Sequence, residues 1–188
     1  MFDINQIYKI DNFLEEEQVK GFDFFCGHYV WEMEGYSYDT DKMFWMKDLW
    51  GSELGKCLHI EETFRIKIEN LFNVKLATAR LYLNGQAHGQ CGSMHTDIID
   101  AVDPEDKYIT AIYYVNKEWS PEYGGFTVVV DRQDNIHINY PKPNSLLIFD
   151  SSLAHVGLEP TIHCKSQRVT MAHKMKILKE YYGCLRRL

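Results

Sequence analysis

From Val74 to Lys174 the chain is a succession of short β-branched and aromatic runs, each closed by a turn signal, with no helical period between them. Residues 76–83, 94–97, 108–115, 126–131, 135–140, 145–149 and 167–174 read as strands. Asn84-Gly85, Asp103-Pro104, Gly124-Gly125, Asp134-Asn135 and Pro141-Lys142-Pro143-Asn144 read as turns. A parallel α/β sheet needs a crossover helix between successive strands, and none is available here. The expected fold is therefore mainly β with flanking helices (α+β), its core a jelly-roll barrel.

Ahead of this region, residues 7–10 read as a strand, and Asn12 as a helix cap with Glu15 three residues on, followed by Val19, Phe22 and Cys26 at helical spacing. Across 52–72, Ile60, Phe64, Ile68 and Leu71 recur at steps of four, four and three among Lys and Glu, which predicts an amphipathic helix packed on the sheet. Residues 29–50 carry Tyr29, Trp31, Tyr36, Tyr38, Phe44, Trp45 and Trp50. Such density suits either a lid or binding wall, or a segment packed on the barrel.

At 188 residues, with no repeat and no linker, the chain reads as a single domain: a helical and aromatic N-terminal part, 1–73, and a barrel core, about 74–176. A net charge of −7 disfavours non-specific binding to nucleic acid. Asp3 and Asp11 stand where a secretion signal would need positive charge, and no apolar run is long enough to span a membrane. Five cysteines without a CxxC pair fit a reduced chain, so a cytoplasmic location is expected. Nothing in the residues specifies an oligomeric state.

His95-Thr96-Asp97 places two metal-competent side chains on one face of a strand. His155, 58 residues after Asp97, follows the buried-strand pattern of 145–150 and can bring a third ligand. Two His and one carboxylate leave coordination positions open, the arrangement of non-haem Fe(II) oxygenases. The same spacing also suits hydrogen-bonded core histidines. Arg168, 13 residues after His155, shares a strand face with Thr170 and Ala172 and would point into the barrel. A buried guanidinium needs an anion, and it holds a carboxylate through two parallel hydrogen bonds as Lys cannot.

Taken in order, Leu81-Tyr82-Leu83-Asn84-Gly85-Gln86, Gly92-Ser93-Met94-His95-Thr96-Asp97, Thr110 to Trp119, Gly124-Gly125, His155 and Arg168 resemble the 2-oxoglutarate/Fe(II)-dependent dioxygenase superfamily, in particular its prolyl 4-hydroxylase-like branch. The resemblance implies a double-stranded β-helix (jelly-roll) core, with His95, Asp97 and His155 as iron ligands and catalytic centre. It implies Arg168 as the partner of the 2-oxoglutarate C5 carboxylate, Tyr114 as support for that carboxylate, and Tyr82 near the C1 carboxylate. Fe(II), 2-oxoglutarate and O2 are the implied cofactors, with ascorbate as an auxiliary reductant. The implied activity is hydroxylation of an unactivated C–H bond of a prolyl residue, amino acid, peptide or small metabolite, releasing succinate and CO2. His173 and Lys174 stand where prolyl hydroxylases usually carry an aromatic residue, and Arg168 where many carry Lys, which weakens the prolyl assignment. Asp97 is present, whereas related halogenases lack that carboxylate.

Two other functions fit the same residues. A non-catalytic cupin-like barrel can hold a metal or small ligand, although it has no need of Arg168. Zinc hydrolysis is the other, because Cys91 and Cys164 lie close in sequence to the ligands. Residues 98–107, which leave Asp97 with four acids and one Lys, read as a solvated lid that favours cationic or neutral substrates.

Overall fold

The central strands of the barrel are buried on both faces, and residue parity decides which side of the sheet each side chain serves. In the computed structural model, which describes residues 2–27, 31–35, 44–51, 59–97 and 105–179, ten strands form two antiparallel sheets. They are β1 (Tyr8–Asp11), β2 (Glu32–Gly35), β3 (Phe44–Asp48), β4 (Leu76–Gln86), β5 (Lys107–Tyr114), β6 (Thr127–Val130), β7 (Ile136–Asn139), β8 (Ser145–Asp150), β9 (His155–Gly157) and β10 (Arg168–Ile177). The major sheet runs β1-β8-β5-β10-β4-β3-β2, and the minor sheet β7-β6-β9. Helices α1 (Glu16–Gly27) and α2 (Ile60–Phe72) complete the described elements, together with a 3-10 turn at Pro121–Tyr123. This is the expected jelly roll.

Strand β8 shows how the faces divide. All six of its residues are buried. Leu146 and Ile148 join Leu81, Leu83, Ile109, Met171 and Met175 in a core roofed by the helices, while Leu147 and Phe149 join Ile112, Tyr114 and Val129 between the sheets. The helix-side core is centred on aromatic contacts: Phe64 of α2 meets Phe13 at 5.2 Å and Tyr113 edge-on at 5.1 Å between ring centroids.

The helices follow their apolar spacing, with two corrections. Asn12 does not cap α1. It sits in the left-handed region at φ 52°, and the helix opens at Glu16 with the Glu15 N–H bonded to the Gln18 side chain at 3.1 Å. The capping role thus falls to a side chain reaching back from inside the helix. In α2, Ile60, Phe64 and Ile68 are buried as expected, but Leu71 is 55% exposed. Glu69 occupies the inward position instead, its carboxylate accepting from the Leu76 N–H at 2.9 Å, Arg65 and Lys75, and so ties the helix end to β4. Cys26's side chain and residues 52–58 lie outside the described residues.

Residues 94–97 do not form a full strand. Only His95 pairs, in a bridge to His155. The chain then turns so that the Asp97 N–H donates to Ser151 O at 2.9 Å. The aromatic segment, where described, supplies β2 and β3 at the edge of the major sheet rather than a separate lid; residues 36–43 lie outside the described residues.

His173 lies on the helix side of β10, fully buried. Its Nε2 is 2.8 Å from Thr78 Oγ1, and that hydroxyl donates to Glu61. The carboxylate can only accept, so Thr78 accepts from His173 Nε2–H, leaving Nδ1 bare and without a partner. Burial, aided by Arg65, pushes the His173 pKa down to about 3.

Two predictions follow from this packing. Phe64→Ala should cost about 3–5 kcal/mol in denaturant unfolding, and Leu71→Ala less than about 0.5 kcal/mol, because only the first leaves a core cavity. Because the folded His173 pKa lies below its unfolded value, its contribution to stability is present above about pH 6.5 and is lost as pH falls toward 3. Unfolding free energy measured near pH 5 should decrease as the pH is lowered, and His173→Gln should remove about one proton from that dependence, about 1.4 kcal/mol per pH unit. An unchanged slope in the variant would show that His173 is protonated in the fold.

Candidate active site

One short strand, β9, and an isolated bridge from His95 bring three ligand side chains together. The bridge closes with His95 N–H to His155 O at 3.0 Å and His155 N–H to His95 O at 2.8 Å, which sets the imidazoles side by side at 4.5 Å. Each ring is oriented by a backbone carbonyl two residues earlier: His95 Nδ1 by Ser93 O at 2.8 Å, and His155 Nδ1 by Leu153 O at 2.9 Å. A carbonyl only accepts, so each Nδ1 carries a proton, and in the neutral ring the lone pair is left on Nε2, the atom turned toward Asp97. Asp97, buried, lies with Oδ1 3.7 Å from His95 Nε2 and Oδ2 3.4 Å from His155 Nε2. The three ligand atoms lie within 4.8 Å of one another and can hold one divalent metal ion.

Surroundings keep these groups in ligating form. Burial, reinforced by the neighbouring His155, lowers the His95 pKa and favours the neutral ring. Burial opposes ionisation of Asp97, but His155 and the Lys174 ammonium outweigh it and hold the carboxyl well below the usual carboxylate range. Thr110 Oγ1 donates to Asp97 Oδ2 at 2.7 Å, and Lys174 Nζ stands 2.5 Å from Oδ1. Phe149 meets the His155 ring edge-on at 4.7 Å and walls the ligands from the barrel interior.

The antiparallel register of β4 and β10 runs a ladder of polar pairs beside this cluster: Gln86 with Arg168, Asn84 with Thr170, Tyr82 with Ala172, Arg80 with Lys174. All but the last pair line one cavity with His95, Asp97, His155, Thr110, Thr127 and Phe44. At its far end Arg168, 2% exposed, donates from Nε to Gly125 O at 2.6 Å, from Nη1 to Gln86 Oε1 at 2.9 Å and from Nη2 to Thr127 Oγ1 at 2.8 Å. Among the described residues no carboxylate pairs with it, and burial lowers its pKa. The Gly124-Gly125 turn has a steric reason: at φ 66°, a Cβ on Gly125 would lie 2.9 Å from Arg168 Cδ and 3.1 Å from Trp119.

Tyr82 lines the cavity beside Asp97, where its burial raises the hydroxyl pKa. Tyr114 does not line it. Its hydroxyl donates to Thr127 Oγ1 at 2.9 Å, so it acts on the cavity through that threonine. Thr127 accepts from both Tyr114 and Arg168, which leaves its own hydroxyl proton to donate. Gln86, Thr127, Thr110 and Lys174 escaped recognition as site residues, although the parity that joins Arg168, Thr170 and Ala172 extends to Lys174. Cys91 and Cys164 take no part in a metal group among the described residues, which removes the thiol basis for zinc hydrolysis.

The model of the 2OG-Fe(II) oxygenase superfamily matches residues 77–174, the span from β4 to the end of this ladder. The chain belongs to that superfamily. No curated protein matches it by sequence. Its fold is similar to a prolyl-4-hydroxylase from Pseudomonas putida (16% identity, TM-score 0.62, covering 90% of this chain and 91% of that one). It is also similar to a Trichoplax adhaerens prolyl hydroxylase solved with a hypoxia inducible factor peptide fragment (16%, 0.69, 97% and 88%). A third likeness is to a 2OG-Fe(II) oxygenase family oxidoreductase from Burkholderia pseudomallei (10%, 0.72, 90% and 84%). The oxygenase is thus a 2-oxoglutarate- and Fe(II)-dependent dioxygenase that uses O2, and the non-catalytic barrel is set aside. The site fits both groups: two imidazole Nε2 atoms and a carboxylate for the metal, and a buried guanidinium that pairs with no described carboxylate for the dicarboxylate.

The oxygenase should therefore bind one Mn(II) or Fe(II) per chain anaerobically, with His95→Ala or Asp97→Ala weakening binding at least about tenfold. Calorimetric titration checks this, and full affinity in both variants would displace the metal from these residues.

Proposed function

We propose that this oxygenase hydroxylates an unactivated C–H bond of an amino-acid substrate, either a prolyl residue in a peptide or a free amino acid, with release of succinate and CO2. The observation that carries the proposal is Arg168, a buried guanidinium unpaired with any described carboxylate, in the same cavity as His95, Asp97 and His155. In this reading the three ligands hold Fe(II) and Arg168 takes the C5 carboxylate of 2-oxoglutarate. Thr127, itself held by Tyr114, donates a further hydrogen bond to that carboxylate, and Tyr82 lies near the C1 carboxylate. Bound Fe(II), 2-oxoglutarate and O2 supply the oxidising chemistry, with ascorbate as auxiliary reductant. The protein's part is placement: Ser93 and Leu153 fix the imidazoles, Thr110 fixes Asp97, Phe149 packs on His155, and Ile112 and Phe44 line the cavity and exclude water. The prolyl branch of the proposal rests on the fold shared with prolyl hydroxylases. Residues 98–104 lie outside the described residues. Asp106, from the segment read as an acidic lid, is buried against Lys176 rather than turned to the cavity.

Succinate formation by the Fe(II)-loaded protein, screened against prolyl peptides and free amino acids with mass detection of an added oxygen, tests the proposal. Absence of 2-oxoglutarate turnover across the panel overturns it. Arg168→Ala should weaken 2-oxoglutarate binding by about 2–5 kcal/mol while Mn(II) affinity survives. Gly125→Ala should weaken it in the same assay by pushing the guanidinium aside. Unchanged cosubstrate affinity in Arg168→Ala would refute the clamp.

A further inference from the structure

The ladder of β4 and β10 ends, at the metal side of the cavity, in two cations, Lys174 beside Asp97 and Arg80 across from it, to which no part in substrate binding has yet been given. The Arg80 guanidinium lies 4.4 Å from the centre of the Tyr82 ring, and the Lys174 ammonium lies 5.4 Å from it. Lys174 is mostly buried, its side chain 12% exposed, and the β4–β10 register slips between Lys174 and Met175, a bulge of the kind that re-aims a neighbouring side chain. Arg80 is exposed, and among the described residues its guanidinium contacts Met46 Sδ at 3.7 Å and pairs with no carboxylate. Asp48, opposite Tyr82 on β3, accepts from its own turn at Trp50 N and pairs with neither cation.

Charge counting shows what is missing. Among the described residues, Asp97 is the one carboxylate paired with any of Arg80, Lys174 and Arg168. Fe(II) and doubly anionic 2-oxoglutarate cancel each other, so the described part of the loaded site keeps an excess of positive charge. Moreover, Lys174's described carboxylate partner is Asp97, and a metal ion bound there draws on the same carboxylate. The loaded site thus leaves a mostly buried ammonium short of an anion, at a cost that a ligand can relieve.

We propose that Arg80 and Lys174, both set against the Tyr82 ring, form a carboxylate-recognition site for the substrate, so that the oxygenase selects an amino-acid substrate bearing a free carboxylate close to the carbon it attacks. This rests on the dioxygenase function proposed above and names its substrate class. The carboxylate is either the α-carboxylate of a free amino acid or an acidic side chain in a peptide. Both groups act as specificity determinants: the ammonium gives the buried contact and the guanidinium the outer, planar one.

The test uses the full chain loaded with Mn(II) and 2-oxoglutarate, whose binding is first confirmed by calorimetry. Three probe sets are then titrated: free L-amino acids, their carboxamides, and end-blocked tripeptides containing Asp or Glu alongside their Asn or Gln counterparts. At least one carboxylate probe should bind about tenfold more tightly than its amide partner, an advantage that shrinks with added salt. Arg80→Gln and Lys174→Met should each cut that preference to about threefold or less, and Arg80→Gln should leave 2-oxoglutarate affinity within about twofold of the parent. Preference confined to free amino acids identifies the α-carboxylate, and preference among blocked peptides the side chain; either supports the site. Equal binding of acid and amide, no binding of any carboxylate probe, or full preference retained in Arg80→Gln overturns it. Failure of the initial Mn(II) and 2-oxoglutarate titration instead overturns the dioxygenase reading beneath it, so the two failures are distinct.

Discussion

A guanidinium buried without an anion is the constraint around which the barrel is arranged. Arg168 can stay charged in the interior only because three of its N–H groups find neutral acceptors on three separate elements, β4, β6 and the turn before β6. Each acceptor imposes a condition. Gly125 must lack a side chain, Gly157 must let the guanidinium pass 3.3 Å from where a Cβ would stand, and Thr127 must be oriented by Tyr114. Neutral acceptors satisfy the donors without cancelling the charge. The site is therefore fully built and still attractive to a carboxylate, which makes it a receptor rather than a structural ion pair.

The same strand explains how such a residue is tolerated. Along β10, Arg168, Thr170, Ala172 and Lys174 face the cavity side, while Met171, Met175 and Ile177 lie in the helix-side core. The long apolar face anchors the strand, so its polar face is free to carry charge. His173, on the apolar side, is held neutral by the environment that tolerates its methionine neighbours. One residue of register would exchange these faces, and the pairing to both β4 and β5 over most of the strand's length opposes such a slip.

Much of this was legible before any coordinates. The run of short strands without helices gives the jelly roll, and His95, Asp97, His155 and Arg168 fall in one cavity because period-two alternation and strand pairing are strong, local rules. What escaped depended on tertiary context. β2 and β3 take their place by adding to the edge of an existing sheet, and β9 is three residues long, too short for any pattern. Leu71 and Glu69 exchange the roles their polarity suggests, because the carboxylate finds the Leu76 N–H, Arg65 and Lys75 at the helix end. Asn12 has a capping side chain but a backbone already committed to a left-handed turn. Lys174 is legible by parity, but its ion pair with Asp97 depends on two strands meeting and leaves no mark in the sequence.

Whole-chain charge and site charge point in opposite directions here, and distance decides between them. A net charge of −7 spread over the surface argues against gathering long polyanions, which must lie across many charges at once. A small ligand inside the cavity responds to groups within a Debye length, about 8 Å at physiological salt, and screening removes most of the distant surface field. Within that radius stand Arg80 and Lys174 around Tyr82, and Asp97 beside Lys174. Low-dielectric walls such as Phe149 and Ile112 strengthen those few charges relative to the many in solvent. An acidic chain can therefore present a locally cationic site to a small ligand, because composition governs the far field and strand register governs the near one.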